Sequence, residues 1–486
     1  MVQKISEENA FIAMKGKHRY KDLISTLLLL IITLSSFSLK GQINPNPSAV
    51  IDNFIQTEMA FERFPGVSTV IVKNGEIVWI ESYGYADIEN NTQVEDTTIF
   101  LLASLSKVFT GTAIMQLKEN GTVNFDNDVN DILSWDADIP GFTTDSVTIR
   151  QLMTHTASIN DGAALDSYYG YPDPTISLAD CMQRYFASSG IDYDAEDNFL
   201  TKKPGSFYQY SNAGSALVGY LSEVASGMAF DQLCKRQIFE PLEMSNTAWF
   251  MADLDSNHVA RPYQYQSGSY MPYNHYGFAD YPNGQLRSNV KDLANFMIAY
   301  LNGGMFGDKK LLSSTSISEM WSSQIPSLEP TQGLSWYQEE FSLSEGGSTM
   351  LWGHNGGEDG VSTEMYMDPD NEIGICVLTN GEGDAFSIIE ELYNQALTLS
   401  TTTSNLNLES NALTIHPNPA SGYFSIKGLT NNYDIQILNS MGQIVQSINS
   451  AEDVTVDITD LSSGLFFISV KNKTNSKVWL QLILKE

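Results

Sequence analysis

Ser104 and Lys107 are the residues of this chain whose types and spacing best suit nucleophilic chemistry. They lie three positions apart at the start of a helix predicted at about 105–119, so their side chains share one face. A serine hydroxyl becomes a useful nucleophile when a base accepts its proton, and a buried lysine has a lowered pKa that suits this role. The helix N-terminus would add positive potential where an oxyanion forms. The pair therefore predicts acyl transfer through a serine ester.

The spacing alone is not decisive, because Ser288 and Lys291 show the same Ser-x-x-Lys pattern. We interpret this second pair as part of a solvated helix face, with Ser288 near the start of a following helix. The interpretation of Ser104 and Lys107 as a catalytic pair therefore depends on other segments that could bring further catalytic groups to the same site.

The segment Tyr210-Ser211-Asn212 could place a phenol and an amide on one loop facing the serine. Tyr281 and Tyr300 are also followed by an asparagine two positions later, so the Tyr-x-Asn pattern carries little weight by itself. The alternative is a tyrosine packed in the core beside an asparagine in a turn.

His354-Asn355-Gly356-Gly357 forms a third element, just before a strand predicted at 362–368. Glycines there would let the edge of a strand approach a substrate closely. A plain glycine turn is the alternative. The order of the three elements along the chain, each beside the helix or strand that it needs, favours a common site.

The elements that must position these residues predict an α/β (α+β) fold. A hairpin at 67–83, turning at an Asn-Gly pair, and strands after residue 336 would form an antiparallel sheet. Amphipathic helices at 48–64 and 384–399 would flank that sheet. A mostly helical region at 145–289 would be inserted, and short strands near the C-terminus predict a small β-sandwich.

Taken together, the three elements resemble the serine β-lactamase and penicillin-binding-protein family, whose signature includes Ser-x-x-Lys. The Tyr-x-Asn form is similar to that of the class C branch, which is shared with D-alanyl-D-alanine carboxypeptidases and certain esterases. The resemblance covers roughly residues 48–399, and it also rests on the stretches at 66–68, 149–156, 203–205 and 283–288.

The resemblance implies a role for each residue. Ser104 would be the acylated nucleophile. Lys107 and Tyr210 would together carry out the proton transfers, and either could be the general base. Asn212 would orient the substrate amide and Lys107. The backbone N–H groups of Ser104 and Gly357 would form the oxyanion hole. The strand that lines the substrate pocket would carry His354, Asn355, Gly356 and Gly357.

One departure from the family pattern bears on the substrate. The third motif usually begins with lysine, whereas this chain has His354. A histidine is mostly neutral near pH 7 because its unperturbed pKa is ~6.5. The site would therefore hold a substrate carboxylate less firmly, and Tyr210 would receive less help in losing its proton.

We therefore expect a secreted serine hydrolase, first a D-alanyl-D-alanine carboxypeptidase-like peptidase or amidase that acts on a small peptide. An esterase or β-lactamase on the same site is the alternative, and a catalytically silent surface-binding protein is the alternative from another class. The resemblance implies no cofactor.

The composition of the chain excludes some classes of binding partner. The 486 residues carry a formal net charge of −32, which repels phosphate backbones and anionic lipid surfaces, so we expect no nucleic-acid partner. The three cysteines lack metal-ligand spacing. The acidic run at 126–131 lacks the glycine and glutamate of a calcium loop, so we predict no metal site.

Both ends of the chain indicate export. Residues 1–41 resemble a secretory signal peptide with a basic region before an apolar one, and an uncleaved membrane anchor is the alternative. We predict a hydrolase domain at 48–399, a polar linker at 400–411 and a β-sandwich at 412–486. That tail is similar to the sorting domain of the type IX secretion system, and an accessory carbohydrate-binding sandwich is the alternative.

The sorting-domain resemblance implies outer-membrane secretion machinery as a partner. It also implies a secreted or cell-surface location, across the outer membrane of a Gram-negative bacterium, with no stable membrane span after processing.

Overall fold

The computed structural model describes residues 44–399, 414–429, 433–439, 444–473 and 478–485. The predicted signal peptide at 1–41 and the predicted linker at 400–411 lie outside these described residues.

Helices cover both ends of the segment 44–399 and much of its middle. The α-helices of the described residues are α1 (Ala49–Glu62), α2 (Ser106–Glu119), α3 (Ile149–Met153), α4 (Leu178–Phe186), α5 (Asn212–Ser226), α6 (Phe230–Cys234), α7 (Val290–Leu301), α8 (Ser314–Met320) and α9 (Phe386–Thr398).

Strands lie mainly at the two ends of the segment 44–399 and in the tail. Those of the described residues are β1 (Gly66–Lys73), β2 (Glu76–Asp87), β3 (Thr92–Gln93), β4 (Phe100–Leu101), β5 (Tyr169–Gly170), β6 (Tyr263–Gln266), β7 (Ser269–Pro272), β8 (Gly277–Phe278), β9 (Arg287–Ser288), β10 (Met305–Phe306), β11 (Lys309–Lys310), β12 (Tyr337–Ser342), β13 (Ser348–Glu358), β14 (Val361–Asp368), β15 (Ile373–Thr379), β16 (Thr414–His416), β17 (Tyr423–Lys427), β18 (Tyr433–Leu438), β19 (Ile444–Ser450), β20 (Val454–Asp457), β21 (Gly464–Asn472) and β22 (Val478–Lys485).

The central sheet has seven strands in the order β12-β13-β14-β15-β1-β2-β3, and every neighbouring pair is antiparallel. The hairpin between β1 and β2 turns at Asn74 and Gly75, whose φ angles of 51° and 76° suit a type I′ turn. Strands from both ends of the domain thus meet at β15 and β1, which confirms the predicted mixed α/β fold.

The sheet separates two hydrophobic cores. Along β1, Val70 and Val72 face the larger core, which α2 and α7 help to build, while Val67 and Ile71 face a smaller core shared with α1 and α9. Because both faces are covered, β1 and β15 are almost continuously apolar, as expected for buried strands.

The tail forms two sheets, β16-β17-β20 and β19-β18-β21-β22, around a core of its own that includes Phe424, Ile435 and Ile468. This arrangement agrees with the predicted sandwich. The sequence pattern did not predict β16 and β19. Strand β19 lies at a sheet edge with Ile444 and Val445 exposed, so it lacks clean apolar alternation.

Two further features concern the described residues only. None of their helices combines the length and apolarity needed to cross a membrane. The three cysteines, Cys181, Cys234 and Cys376, are buried free thiols.

Candidate active site

Ser104 lies in a single 3₁₀ turn, Ala103–Leu105, that leads directly into α2. The backbone before it is strained, since Ala103 has a φ of 48°, a conformation that costs a non-glycine residue energy. The turn is held by a hydrogen bond from Leu102 N to Leu286 O at 2.8 Å. Ser104 itself remains partly exposed, so its hydroxyl can reach a substrate.

Lys107 is fully buried one turn further along α2 and is 1% exposed. Its Nζ donates to Ser104 Oγ at 3.0 Å, to Asn212 Oδ1 at 2.7 Å and to the main-chain oxygen of Asn283 at 2.7 Å. Burial lowers the pKa of Lys107 to about 7, against the opposing effect of nearby carboxylates such as Asp161. A lysine held in this way can exchange a proton with the serine near neutral pH.

Asn212 is placed by the start of α5. The carboxylate of Asp161 accepts hydrogen bonds from the N–H groups of Asn212 and Ala213, at 2.9 and 3.0 Å, and from Ser211 Oγ at 3.1 Å. Ser211 also caps the helix by accepting a bond from Gly214 N. Asp161 therefore anchors the segment that carries Asn212, although no sequence pattern indicated it.

Tyr210 precedes that cap and packs between two histidine rings. Its ring centroid lies 4.4 Å from that of His155 and 6.2 Å from that of His354, and Lys107 Nζ is 4.9 Å from it. Burial raises the pKa of Tyr210 well above its usual range, partly offset by a hydrogen bond with Ser104. His155 has a structural role, because its Nδ1 accepts a bond from Ser211 N at 3.2 Å.

His354 is buried on β13, and its Nδ1 lies 2.6 Å from Asn355 O. Burial, together with the charge of Lys107, lowers the pKa of His354 to about 3, so the ring is neutral near pH 7. Since the carbonyl can only accept, Nδ1 carries the proton and Nε2 is left with a lone pair. This tautomer follows from the hydrogen-bond geometry.

The two glycines of β13 differ in their surroundings. A Cβ on Gly356 would lie 2.3 Å from Leu102 O and 2.4 Å from Thr363 Oγ1, so glycine is needed for β13 to approach the serine turn. A Cβ on Gly357 would meet no atom within 4 Å. The α-carbon of Gly357 therefore faces open space on the side where a side chain would project.

The structure thus brings five of the predicted residues to one place, namely Ser104, Lys107, Tyr210, Asn212 and His354. Asn355, Gly356 and Gly357 continue along the same strand. Ser288 and Lys291 do not form a comparable pair, because Ser288 Oγ bonds Thr247 at 2.7 Å and Lys291 pairs with Asp96 at 2.7 Å.

A protein-family model described as Beta-lactamase matches residues 51–400. The chain belongs to this family. Its hydrolase domain is therefore a β-lactamase-family domain with a serine β-lactamase and penicillin-binding-protein fold. A second model, described as the secretion system C-terminal sorting domain, matches residues 414–485 and accounts for the tail.

Relatives of this β-lactamase-family chain are distant. Protein flp of Staphylococcus aureus is 25% identical over 369 residues, covering 74% of this chain and 68% of that protein. The unguisins hydrolase ungD' of Aspergillus campestris is 27% identical over 339 residues, covering 65% of this chain and 58% of that protein.

Solved structures share the fold at low sequence identity. The octameric penicillin-binding protein homologue from Pyrococcus abyssi has a TM-score of 0.56 at 21% identity, covering 90% of this chain and 98% of its own. A class C β-lactamase from Rhodobacter sphaeroides has a TM-score of 0.55 at 16% identity, covering 72% of this chain and 99% of its own.

Two cavities, each of about 270 Å³, are lined by residues of this site in the β-lactamase-family domain. The tyrosine cavity includes Tyr210, His354, Tyr337, Glu329 and Glu339 in its lining. The asparagine cavity is lined by Asp161, Gly162, Ala163, Leu165, Asp166, Tyr169, Asn212, Phe278, Asp280, Asn283 and Glu358. Neither lining contains a lysine or an arginine among the described residues.

A hydrogen-bond chain that the sequence analysis missed supports the strand of His354. Asn355 N donates to the hydroxyl of Tyr337 at 3.1 Å, and the hydroxyls of Tyr337 and Tyr366 are 3.1 Å apart. The buried Glu364 lies two residues before Tyr366 on β14, and burial raises its pKa to about 8. The residues are scattered along the chain, so no local pattern could have indicated this support.

Asn283 was missed for a different reason. It belongs to one of the two additional Tyr-x-Asn matches, Tyr281 to Asn283, that were given little weight by themselves. The structure uses its main-chain oxygen to hold Lys107, rather than its side chain. The one sequence feature that pointed to this segment was the stretch at 283–288, which supported the family resemblance.

Proposed function

We propose that this protein is a serine hydrolase that forms an acyl-enzyme on Ser104. The observation that carries the proposal is the 3.0 Å hydrogen bond between Lys107 Nζ and Ser104 Oγ in a buried setting. In the first step Ser104 Oγ bonds to the carbonyl carbon of the substrate, the leaving group departs with a proton, and water then cleaves the ester.

Lys107 is the better candidate for the general base, and Tyr210 for a neutral proton carrier. A base works best when its pKa is near the working pH, and the pKa of Lys107 is lowered to about 7. The pKa of Tyr210 is raised, so its phenolate is costly at neutral pH. In this scheme Lys107 takes the proton of Ser104. Tyr210 then gives its hydroxyl proton to the leaving group as it receives the proton that Lys107 holds, so it stays neutral overall.

The oxyanion would be stabilised by the N–H groups of Ser104 and Gly357. Two observations support this assignment, the close packing of Gly356 on the serine turn and the open space at Gly357. Loss of one such donor costs on the order of 2.7–4 kcal/mol of transition-state stabilisation in other enzymes.

The charge of the tyrosine cavity bears on the substrate. Because the leaving group must reach Tyr210, this cavity would receive it, and the cavity holds Glu329, Glu339 and a neutral His354 instead of a cation. We therefore place peptidase or amidase activity on leaving groups without a free carboxylate first. D-alanyl-D-alanine carboxypeptidase-like activity ranks second, since its leaving group, D-alanine, carries a free carboxylate.

Esterase activity is the second candidate function. The same absence of a lysine or arginine from the tyrosine cavity suits a neutral alcohol as leaving group. β-Lactamase activity is less favoured, because penicillins carry a carboxylate that this cavity would not pair.

We also propose that the tail directs the hydrolase domain across the outer membrane of a Gram-negative bacterium, to the surface or the medium, through the type IX machinery. The match of the sorting-domain model to residues 414–485 supports this. Mass spectrometry of the exported protein would show whether residues 1–41 and the tail are removed.

Covalent labelling tests the nucleophile. A fluorophosphonate probe and a fluorescent penicillin should label the wild-type protein, and Ser104→Ala should abolish the label. Ser288→Ala is the matched control, since it changes the other Ser-x-x-Lys serine and should label like the wild type. If neither probe labels the wild type, or if Ser104→Ala labels equally, the hydrolase proposal fails and a silent binding protein is the better interpretation.

Activity assays separate the substrate classes. We would compare a short acyl ester, nitrocefin, a D-Ala-D-Ala peptide and the same peptide with a C-terminal amide. Preference for the amide over the free acid supports the ranking above, and preference for the free acid contradicts it.

A further inference from the structure

The tyrosine cavity, defined above, has two half-buried carboxylates in its lining. Glu339 shares one face of β12 with Tyr337, because side chains alternate along a strand, and both residues line the cavity. The carboxylate of Glu339 has no hydrogen-bond donor and no ion-pair partner among the described residues. Glu329 Oε1 accepts two bonds from Thr331, at 2.7 and 3.3 Å, but within the described part of the chain Glu329 also forms no ion pair. The cavity therefore presents negative charge that attracts a cation.

A buried acceptor lines the same cavity and is independent of the two carboxylates. His354 is 2% exposed, and the centroid of its ring lies 5.1 Å from that of Tyr337 and 6.2 Å from that of Tyr210, both lining residues. The Nδ1 proton of His354 is directed at Asn355 O, whereas Nε2 has no hydrogen-bond partner among the described residues. A buried polar atom without a partner is costly, and a ligand that donates to Nε2 removes that cost.

The buried lysine of the site does not neutralise this cavity. The carboxylates whose charges act on Lys107 are those of Asp161, Asp280 and Glu358. None of these three lines the tyrosine cavity, and neither Glu329 nor Glu339 is among them. The negative charge at the tyrosine cavity therefore has no counterpart in Lys107.

The position of the cavity relates it to the departing half of the substrate. Tyr210 lines the cavity and would give its proton to the leaving group, so the leaving group occupies this space. The rings of Tyr208 and Tyr337 line it as well. Aromatic faces and carboxylates are the groups that proteins use to bind an organic ammonium.

We propose that the tyrosine cavity binds a leaving group that carries a protonated amine, so that the enzyme prefers amides or esters whose departing half bears an ammonium. The inference rests on the proposed function and names the class of its leaving group. The ammonium donates hydrogen bonds to His354 Nε2 and to the carboxylates of Glu329 and Glu339. The rings of Tyr208 and Tyr337 pack against the alkyl chain that carries it.

Protection of Ser104 from a fluorophosphonate probe measures this binding without requiring turnover. The compounds to compare are amides of N-acetylalanine, in both enantiomers, whose amide nitrogen carries a 4-aminobutyl, a pentyl or a 4-carboxybutyl group. The pentyl group replaces the ammonium with a methyl group, and the carboxybutyl group reverses the charge. The acetyl group leaves no free amine on the acyl half, so any effect of charge comes from the departing half.

We expect the aminobutyl amide to give half-protection at a concentration about tenfold below that of the pentyl amide, as for hydrogen bonds to charged groups. The carboxybutyl amide should protect least. Equal protection by the aminobutyl and pentyl amides, or no protection by either enantiomer of the aminobutyl amide, overturns the inference.

Adjacent glutamates on β12 provide a variant and its matched control. Glu339→Gln should reduce the preference for the aminobutyl amide several-fold, and Glu329→Gln combined with it should remove most of the preference. Glu340→Gln is the control, because Glu340 is exposed on the other face of β12, where its carboxylate accepts a bond from Ser348. A preference that survives in the double variant, or that Glu340→Gln reduces as much as Glu339→Gln, overturns the assignment to this cavity.

The two proposals fail in different ways. If the probe does not label Ser104 in the wild type, the proposed function itself fails. If labelling is normal and the ammonium gives no advantage, the hydrolase stands and only the ammonium site is wrong.

Discussion

Lys107 Nζ donates a 2.7 Å hydrogen bond to the main-chain oxygen of Asn283, a residue 176 positions later in the chain. This contact and the 2.7 Å bond to Asn212 fix the lysine head group, so that its third donor points at Ser104. Asn212 and Asn283, both more than 100 positions away in the chain, therefore align the nucleophile with its proposed base. The sequence around Ser104 and Lys107 does not indicate these contacts.

The lowered pKa of Lys107 predicts the pH dependence of catalysis. If the neutral amine is the base, kcat/KM should rise with pH through an apparent pKa of about 7, which the free enzyme reports in a pH profile. Lys107→Arg should lose nearly all activity because a guanidinium stays protonated. Lys291→Arg, at the other Ser-x-x-Lys lysine, should keep the profile. A profile that is flat between pH 5 and pH 9 would contradict this role.

The same group predicts a pH effect on stability. The folded pKa of Lys107, about 7, lies below its ordinary value of 10.5, so the unfolded chain binds more protons between these values. The Lys107 contribution to the free energy of unfolding should therefore rise with pH across this window and be lowest below pH 7. Urea unfolding of wild type and Lys107→Met at several pH values measures it. A stability difference that does not change with pH would argue against a buried, titrating lysine.

His354→Lys should restore a cation to the tyrosine cavity. We expect hydrolysis of a D-Ala-D-Ala peptide to improve relative to its C-terminal amide by about tenfold, mainly through KM, since a charge-assisted bond forms to the carboxylate. His354→Gln, which is polar and uncharged, should show no such change. If the lysine variant is folded and its preference is the same as that of the wild type, His354 does not set carboxylate recognition.

Gly356→Ala tests the approach of β13 to the serine turn. The added Cβ would lie 2.3 Å from Leu102 O, so the strand or the turn must shift. A displacement of about 1 Å at the reacting groups can cost roughly 10²-fold, and we expect kcat to fall by that order. In Gly357→Ala the added Cβ meets no atom within 4 Å. The melting temperature of this variant should therefore equal that of the wild type. Wild-type kcat in Gly356→Ala would show that the contact is not needed.

Asp161→Ala should destabilise the start of α5. It removes the acceptor for Ser211 Oγ and for the N–H groups of Asn212 and Ala213. We expect a loss of about 1–3 kcal/mol in the free energy of unfolding, the range for a helix cap and buried donors. Asp161→Asn, which retains one acceptor, should lose less. Equal stability of all three proteins in a denaturant titration would rule out the anchoring role.

Much of the architecture could be predicted from local pattern. The hairpin of β1 and β2 follows from an Asn-Gly pair between apolar arms, and α9 follows from apolar residues at helical spacing. These elements depend on periodicity and turn chemistry, which neighbouring residues determine. Strand β19 escaped prediction because an exposed edge strand needs no buried alternating face.

The same distinction between local pattern and tertiary contact applies to the candidate site. The sequence by itself determined which groups could act together, because Ser104, Lys107, Tyr210, Asn212 and His354 lie in recognisable motifs. Only the tertiary structure decided the environment of those groups. The low pKa of Lys107 and the neutral His354 both result from burial by segments distant in sequence. Desolvation and charge depend on what surrounds a group in space, and no local pattern records that.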